Sequence, residues 1–210
     1  MGRWGSIFGG SDTRIYVGAV LEFLLVVTNI GTAVVLYPVA KRQSEIGALG
    51  YVTARVMECV VIMISLISLL SVVRLRQDFA GAAGTEATAG ALVATYEWAF
   101  LFGPGLIAGV ANGLILGYLM YRSGLVPRRM AMLGLVGGPL LIVAFALVLF
   151  GAIEVGSSWQ FLLSTPEIAW EASLGIYLAW KGFKTTRIVS LETGSPAVEP
   201  SLAAVGSASR

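Results

Sequence analysis

Four charged side chains stand inside apolar runs of this sequence, and their types could do chemistry together. Arg55 and Glu58 lie in "ARVMECVVIMISLISLL", and Glu167 and Glu171 in "PEIAWEASLGIYLAWKGF". On insertion scales a charge at the centre of a membrane helix costs about 2.5–3.5 kcal/mol, so such residues turn toward a bundle interior, a partner or water. Arg55 and Glu58 are three residues apart and Glu167 and Glu171 four apart, which puts each pair on one helix face. Trp170 is expected on a different face. In one chemistry the carboxylates hold and pass a proton or a cation, gated by Arg55. In another, Arg55 forms a buried ion pair that fixes helix register, either with Glu58 on its own helix or with Glu171 across the bundle. A third is acid–base work on a lipid-like substrate by paired carboxylates. Charge balance is easily local here, which favours the structural ion pair and leaves the other two as alternatives.

The rest of the composition narrows the choice. Histidine is absent and there is one cysteine, Cys59. The commonest general base and metal ligand is therefore missing, and so is any intrachain disulfide or paired-cysteine metal site. No nucleophile accompanies the carboxylates, so the expectation is a protein that is not an enzyme and has no metal or cofactor. A net charge of +2 without a basic run gives no reason to expect nucleic acid.

The elements that must position these residues are membrane helices. Hydrophobic residues make up 57% of the chain and charged ones only 12%, about half the charged share of a soluble domain. A span needs about 20 mostly apolar residues. Five stretches qualify, roughly Tyr16–Val39, Tyr51–Val73, Leu92–Tyr121, Met130–Ile153 and Trp159–Lys181. The fold class is an all-α, polytopic transmembrane bundle over 16–183, with an N-terminal segment 1–15 and a disordered tail 184–210. Its surroundings are the lipid bilayer, with another membrane protein or a second copy as possible partners. "RLRQDFAGAAGTEATAGA", after the second stretch, reads as an exposed loop.

The third stretch holds "GLIAGVANGLILG", in which Gly105, Gly109, Gly113 and Gly117 repeat every four residues. Small residues at that spacing share a face and let a second helix approach closely, so the ladder reads as a packing seam. Asn112 beside it can hydrogen-bond across that contact. Gly103-Pro104-Gly105 predicts a kink, because proline removes a backbone donor. Glu22, Glu97 and Glu154 fall nearer the opposite membrane face, where solvation is cheap.

Basic residues set the orientation. Lys41, Arg42, Arg122, Arg128, Arg129, Lys181, Lys184 and Arg187 fall on one side, and Arg3, Arg14, Arg74 and Arg76 on the other. The first side is the cytoplasmic one by the positive-inside rule, which places the C-terminus inside and the N-terminus outside. In depth, Arg55 and Glu58 are expected roughly 6–10 Å from the cytoplasmic end of the second helix, and Glu171 about 15 Å from that end of the fifth.

"ARVMECVV", "LGYLMYRSGLVPRRMAMLG" and "PEIAWEASLGIYLAWKGF" together resemble a bacterial multi-pass membrane family catalogued as domain of unknown function 4386. The resemblance runs from about the first helix to Phe183. Arg55 and Glu58 match the family's "aR-x-x-E" pattern and Glu171 its final-helix glutamate. It implies a bacterial inner-membrane protein of several spans, with no activity attached. Family members begin with a further transmembrane helix, and the resemblance implies that this chain lacks it.

Overall fold

The computed structural model describes residues 12–183, and all regular structure among them is helical. We label the helices α1 (Asp12–Lys41), α2 (Glu45–Asp78), α3 (Thr85–Ser123), α4 (Arg128–Leu149) and α5 (Ser158–Lys181). The first four are long and apolar enough to cross a membrane. The fifth has the length, 24 residues, but Gln160, Glu167 and Glu171 dilute its apolar run. The tail expected over 184–210 lies outside the described residues, as does most of the segment 1–15. Residues 12–15 already belong to α1.

The surface of the bundle is as apolar as a lipid environment requires. Along α1, Val17, Val20, Leu21, Val27, Val34 and Val35 are all exposed, while the buried stripe is Ala19, Val26, Asn29, Ala33, Leu36 and Ala40. Those buried positions recur at intervals of three, four and seven, which is one helix face. Here most of the large apolar side chains point outward and the buried stripe is mainly small residues with one amide, unlike a water-soluble helix.

The helices pack in chain order. α1 lies on α2, α2 on α3, α3 on α4 and α4 on α5, whereas α1 and α5 do not pack substantially on each other. Reversal at each short connection brings the α1–α2 turn, the α3–α4 turn and the end of α5 to one end of the bundle. Lys41, Arg42, Arg122, Arg128, Arg129 and Lys181 therefore gather at that basic end. There Arg122 Nη1 donates to Tyr118 Oη at 3.0 Å, and the Arg128 guanidinium lies 5.8 Å from the centre of the Tyr121 ring.

Two local expectations change. The loop expected over residues 74–91 shrinks to 79–84, because α2 runs on to Asp78 and α3 starts at Thr85. Gly81 and Gly84 supply the positive φ values of the turn, 79° and 85°. Val72 of α2 then packs on Ala89 and Val93 of α3, so tertiary burial holds a Gly/Ala/Thr-rich stretch helical. At Pro104 the helix widens instead of simply kinking. Leu101–Ile107 and Gly109–Leu116 are π-helical, and Ala108 N–H donates to Gly103 O five residues back. Farther on, α3 ends at Gly124 in left-handed geometry, φ 66°, as its sequence predicts.

Candidate functional site

An intramembrane polar cluster in a cavity

The earlier start of α2 moves the polar residues deeper than expected. Arg55 stands ten residues after Glu45, and Glu171 ten residues before Lys181. Both are thus about 15 Å from the basic end at 1.5 Å per residue, instead of 6–10 Å for Arg55. By the same measure Glu58 and Glu167 share a second level about 20 Å in. The four residues form two layers near the middle of the bundle.

A residue of α1 ties the two layers together. Arg55 Nη1 donates to Glu58 Oε2 at 2.7 Å, and Arg55 Nη2 to Asn29 Oδ1 at 2.5 Å. Asn29 Nδ2 closes the ring by donating to Glu58 Oε1 at 3.2 Å. A guanidinium only donates and a carboxylate only accepts, so the amide, which does both, suits the place between them. Arg55, Glu58 and Asn29 are all buried, at 6%, 3% and 5% exposure. A charged pair taken out of water needs such additional hydrogen bonds to offset its desolvation. Of the two partners expected for Arg55, the structure uses Glu58. Glu171 instead accepts a close hydrogen bond from Asn112 Nδ2 on α3.

Glu167 and Trp170 stand on α5, beside this ring. With Leu174 they form the buried face of α5, so Trp170 lies on the same side as Glu167 and not on a separate face. Its indole Nε1–H donates to Asn112 O at 3.1 Å. Glycines make the space for both side chains. A Cβ on Gly134 would meet the Trp170 ring at 2.8 Å, and one on Gly137 would meet Glu167 N at 2.6 Å and Oε2 at 2.7 Å. A Cβ on Gly113 would sit 2.4 Å from the Gly138 Cα and 2.9 Å from Glu167 Oε2.

The α3 ladder is therefore a seam against α4 at Gly109, Gly113 and Gly117. Gly105 is different. A Cβ there would meet nothing closer than Leu101 of its own helix, at 3.6 Å, because the residue faces a cavity. The complementary glycines of α4 escaped the sequence reading, although "LGLVGGP" carries them. Asn29 escaped it as well, and its signal was a lone amide in the first apolar run.

The cavity has a volume of about 750 Å³, and Arg55, Glu58, Glu167 and Glu171 all contribute to its wall. It extends from these residues toward the end opposite the basic one, where Tyr96, Glu97 and Ser157 line it. A second cavity of about 400 Å³ lies on the basic side, bounded by Thr32, Tyr51 and Leu178 among others. Asn29, Arg55 and Glu171 belong to both walls, so these three side chains stand between the two volumes. Glu22, expected near the interface, reaches the outer part of the site, where its Oε1 accepts from Tyr96 Oη at 2.9 Å. Arg55 Nε and both carboxyl oxygens of Glu167 are buried without a hydrogen-bond partner.

A family model described as Domain of unknown function (DUF4386) matches residues 6–182, most of the chain. The chain belongs to the DUF4386 family. No curated protein and no solved structure matches it. Within this DUF4386 member, the stretches that resembled the family have distinct places. "GYLMYRSGLVPRRM" forms the α3–α4 turn at the basic end, whereas Arg55, Glu58 and Glu171 face the cavity.

Proposed function

We propose that this DUF4386 member is a transport-type membrane protein whose solute site is the cavity above Arg55, Glu58, Glu167 and Glu171. The observation that carries this reading is the cavity itself. An ion pair that only fixed helix register needs no open volume beside it, yet all four charged residues contribute to one wall of about 750 Å³. That size falls within the range of pockets that hold small molecules, roughly 300–1,000 Å³. The Arg55–Glu58–Asn29 ring still joins α1 to α2, so a structural role for that pair is part of the reading. Catalysis is not part of it.

The same proposal places the protein in the inner membrane of a bacterium, with the basic end and the C-terminus in the cytoplasm. The larger cavity would then open outward and the smaller one inward. Support comes from the basic residues gathered at one end, which the positive-inside rule assigns to the cytoplasm.

Aqueous access tests the reading. In a Cys59→Ser background reconstituted into liposomes, Ser164→Cys on the cavity wall should react with a polar, uncharged maleimide. Val27→Cys on the exposed face of α1 should not. An unreactive Ser164→Cys would leave the cluster as a clasp beside a closed space and overturn the proposal.

A further inference from the structure

We infer that the ligand of this cavity is a monovalent organic cation with an apolar body, an inference that rests on the cavity being a solute site. Charge gives the first argument. Glu58, Glu97, Glu167 and Glu171 line the cavity together with a single cation, Arg55. That guanidinium is already engaged by Glu58 at 2.7 Å and by Asn29 at 2.5 Å. An entering anion would meet unbalanced carboxyl groups, and an entering cation would relieve them. Glu167 makes the demand specific: it is 3% exposed, it forms part of the wall, and neither of its carboxyl oxygens has a hydrogen-bond partner. A buried carboxyl group left without a partner costs free energy that a cationic neighbour offsets.

Shape and wall chemistry give the second argument. Most of the wall is apolar, from Leu25, Leu141 and Ile168, and Phe100 and Phe161 add aromatic rings. Ring faces attract cations within about 6 Å, most strongly those that have shed their water. Among the described residues no three carboxylate, thiolate or imidazole groups stand together as a metal site requires. The set therefore suits one diffuse charge on a greasy frame better than a bare ion. α1 and α5 do not pack substantially on each other, and both line the smaller cavity.

The test uses two ions of one shape and opposite charge. Tetraphenylphosphonium and tetraphenylborate are titrated by calorimetry into the full chain in nanodiscs of uncharged lipid. Tetraphenylphosphonium should bind saturably and at least about tenfold more tightly than tetraphenylborate, a difference of about 1.4 kcal/mol. Glu171→Gln should reduce that preference several-fold. Glu97→Gln, at the half-buried mouth and outside the inner cluster, should reduce it less and guards against loss of fold in the first variant. Equal affinity for the two ions would overturn the inference, as would tetraphenylphosphonium binding unchanged in both variants. If Ser164→Cys is labelled while tetraphenylphosphonium does not bind, the cation class fails and the solute site stands. If the cysteine is unreactive, the site itself fails. Bound tetraphenylphosphonium should also slow labelling of Ser164→Cys.

Discussion

The two sides of α3 solve opposite problems with similar residues. Toward α4, Gly109, Gly113 and Gly138 bring two backbones into contact, and a Cβ at Gly109 would lie 2.9 Å from Gly138 O. Toward α1 and α5, the same helix borders open volume, and Gly105 and Ala108 widen it. Glycine at four-residue spacing thus means closure on one face and clearance one step along the ladder. Polar side chains differ between the regions too. Those deep in the cavity make hydrogen bonds between helices, Arg55 to Asn29 and Asn112 to Glu171, whereas Glu167, where the seam meets the cavity wall, keeps its carboxyl without a partner. Tight packing fixes where Glu167 stands, and the looser side leaves room for something to meet it.

Substitutions can break or sharpen this contrast. The largest effect is expected from Gly113→Leu, since even its first added carbon would overlap the Gly138 Cα. The variant should yield no monodisperse protein by gel filtration in detergent, a loss beyond the usual 1–3 kcal/mol of overpacking. Arg55→Gln should follow, at about 3–5 kcal/mol in detergent melting, because Glu58 is left buried and uncompensated. Adding Glu58→Gln should recover part of that loss, and coupling of Arg55 to Glu58 should exceed its coupling to Glu171. If the Arg55 and Glu58 losses simply add, the ring does not act as a unit.

Asn29→Ala removes both hydrogen bonds that tie α1 to the cluster and should cost about 1–3 kcal/mol by the same melting assay. Trp170→Phe keeps the ring in its glycine-lined slot and loses only the bond to Asn112 O, for about 1 kcal/mol. The smallest change is expected for Gly105→Ala. Its methyl enters the cavity, so melting should shift by no more than about 0.5 kcal/mol, and alanine's better helix propensity works in its favour. A loss at Gly105 as large as at Gly113 would erase the distinction between seam and cavity.

Much of this was legible in the sequence, and the gaps have physical causes. The apolar runs gave the helices because lipid imposes a minimum length and tolerates few charges. Arg55, Glu58, Glu167 and Glu171 stood out for the same reason. The partner of Arg55 was ambiguous, because reach along one helix and reach across the bundle look alike without packing. The ends of α2 and α3 were missed where composition suggested a loop, since Val72, Ala89 and Val93 hold the turn closed from opposite sides. Glycine spacing identified the α3 ladder without showing which rungs touch a neighbour. Side-chain burial on α5 misled in a similar way: Trp170 and Glu167, three apart, share a face that Glu171 only borders.

The serial packing of the helices also bears on how the chain assembles. Every helix after the first rests mainly on the one made just before it, so each newly synthesised span meets a partner already in place. The exception is the central core, where Ala33, Leu36 and Tyr51 of the first two helices share one buried cluster with Trp170 and Leu174 of α5. Elsewhere, neighbour-to-neighbour contacts keep the sequence separation of interacting residues short, a property associated with fast folding. The Asn29–Arg55–Glu58 ring is then complete once α2 has followed α1 into the bilayer, and the glycine seam once α4 has followed α3. The Arg55–Glu58 pair is matched before the last helix arrives, and α5 delivers the carboxyls of Glu167 and Glu171 at the end.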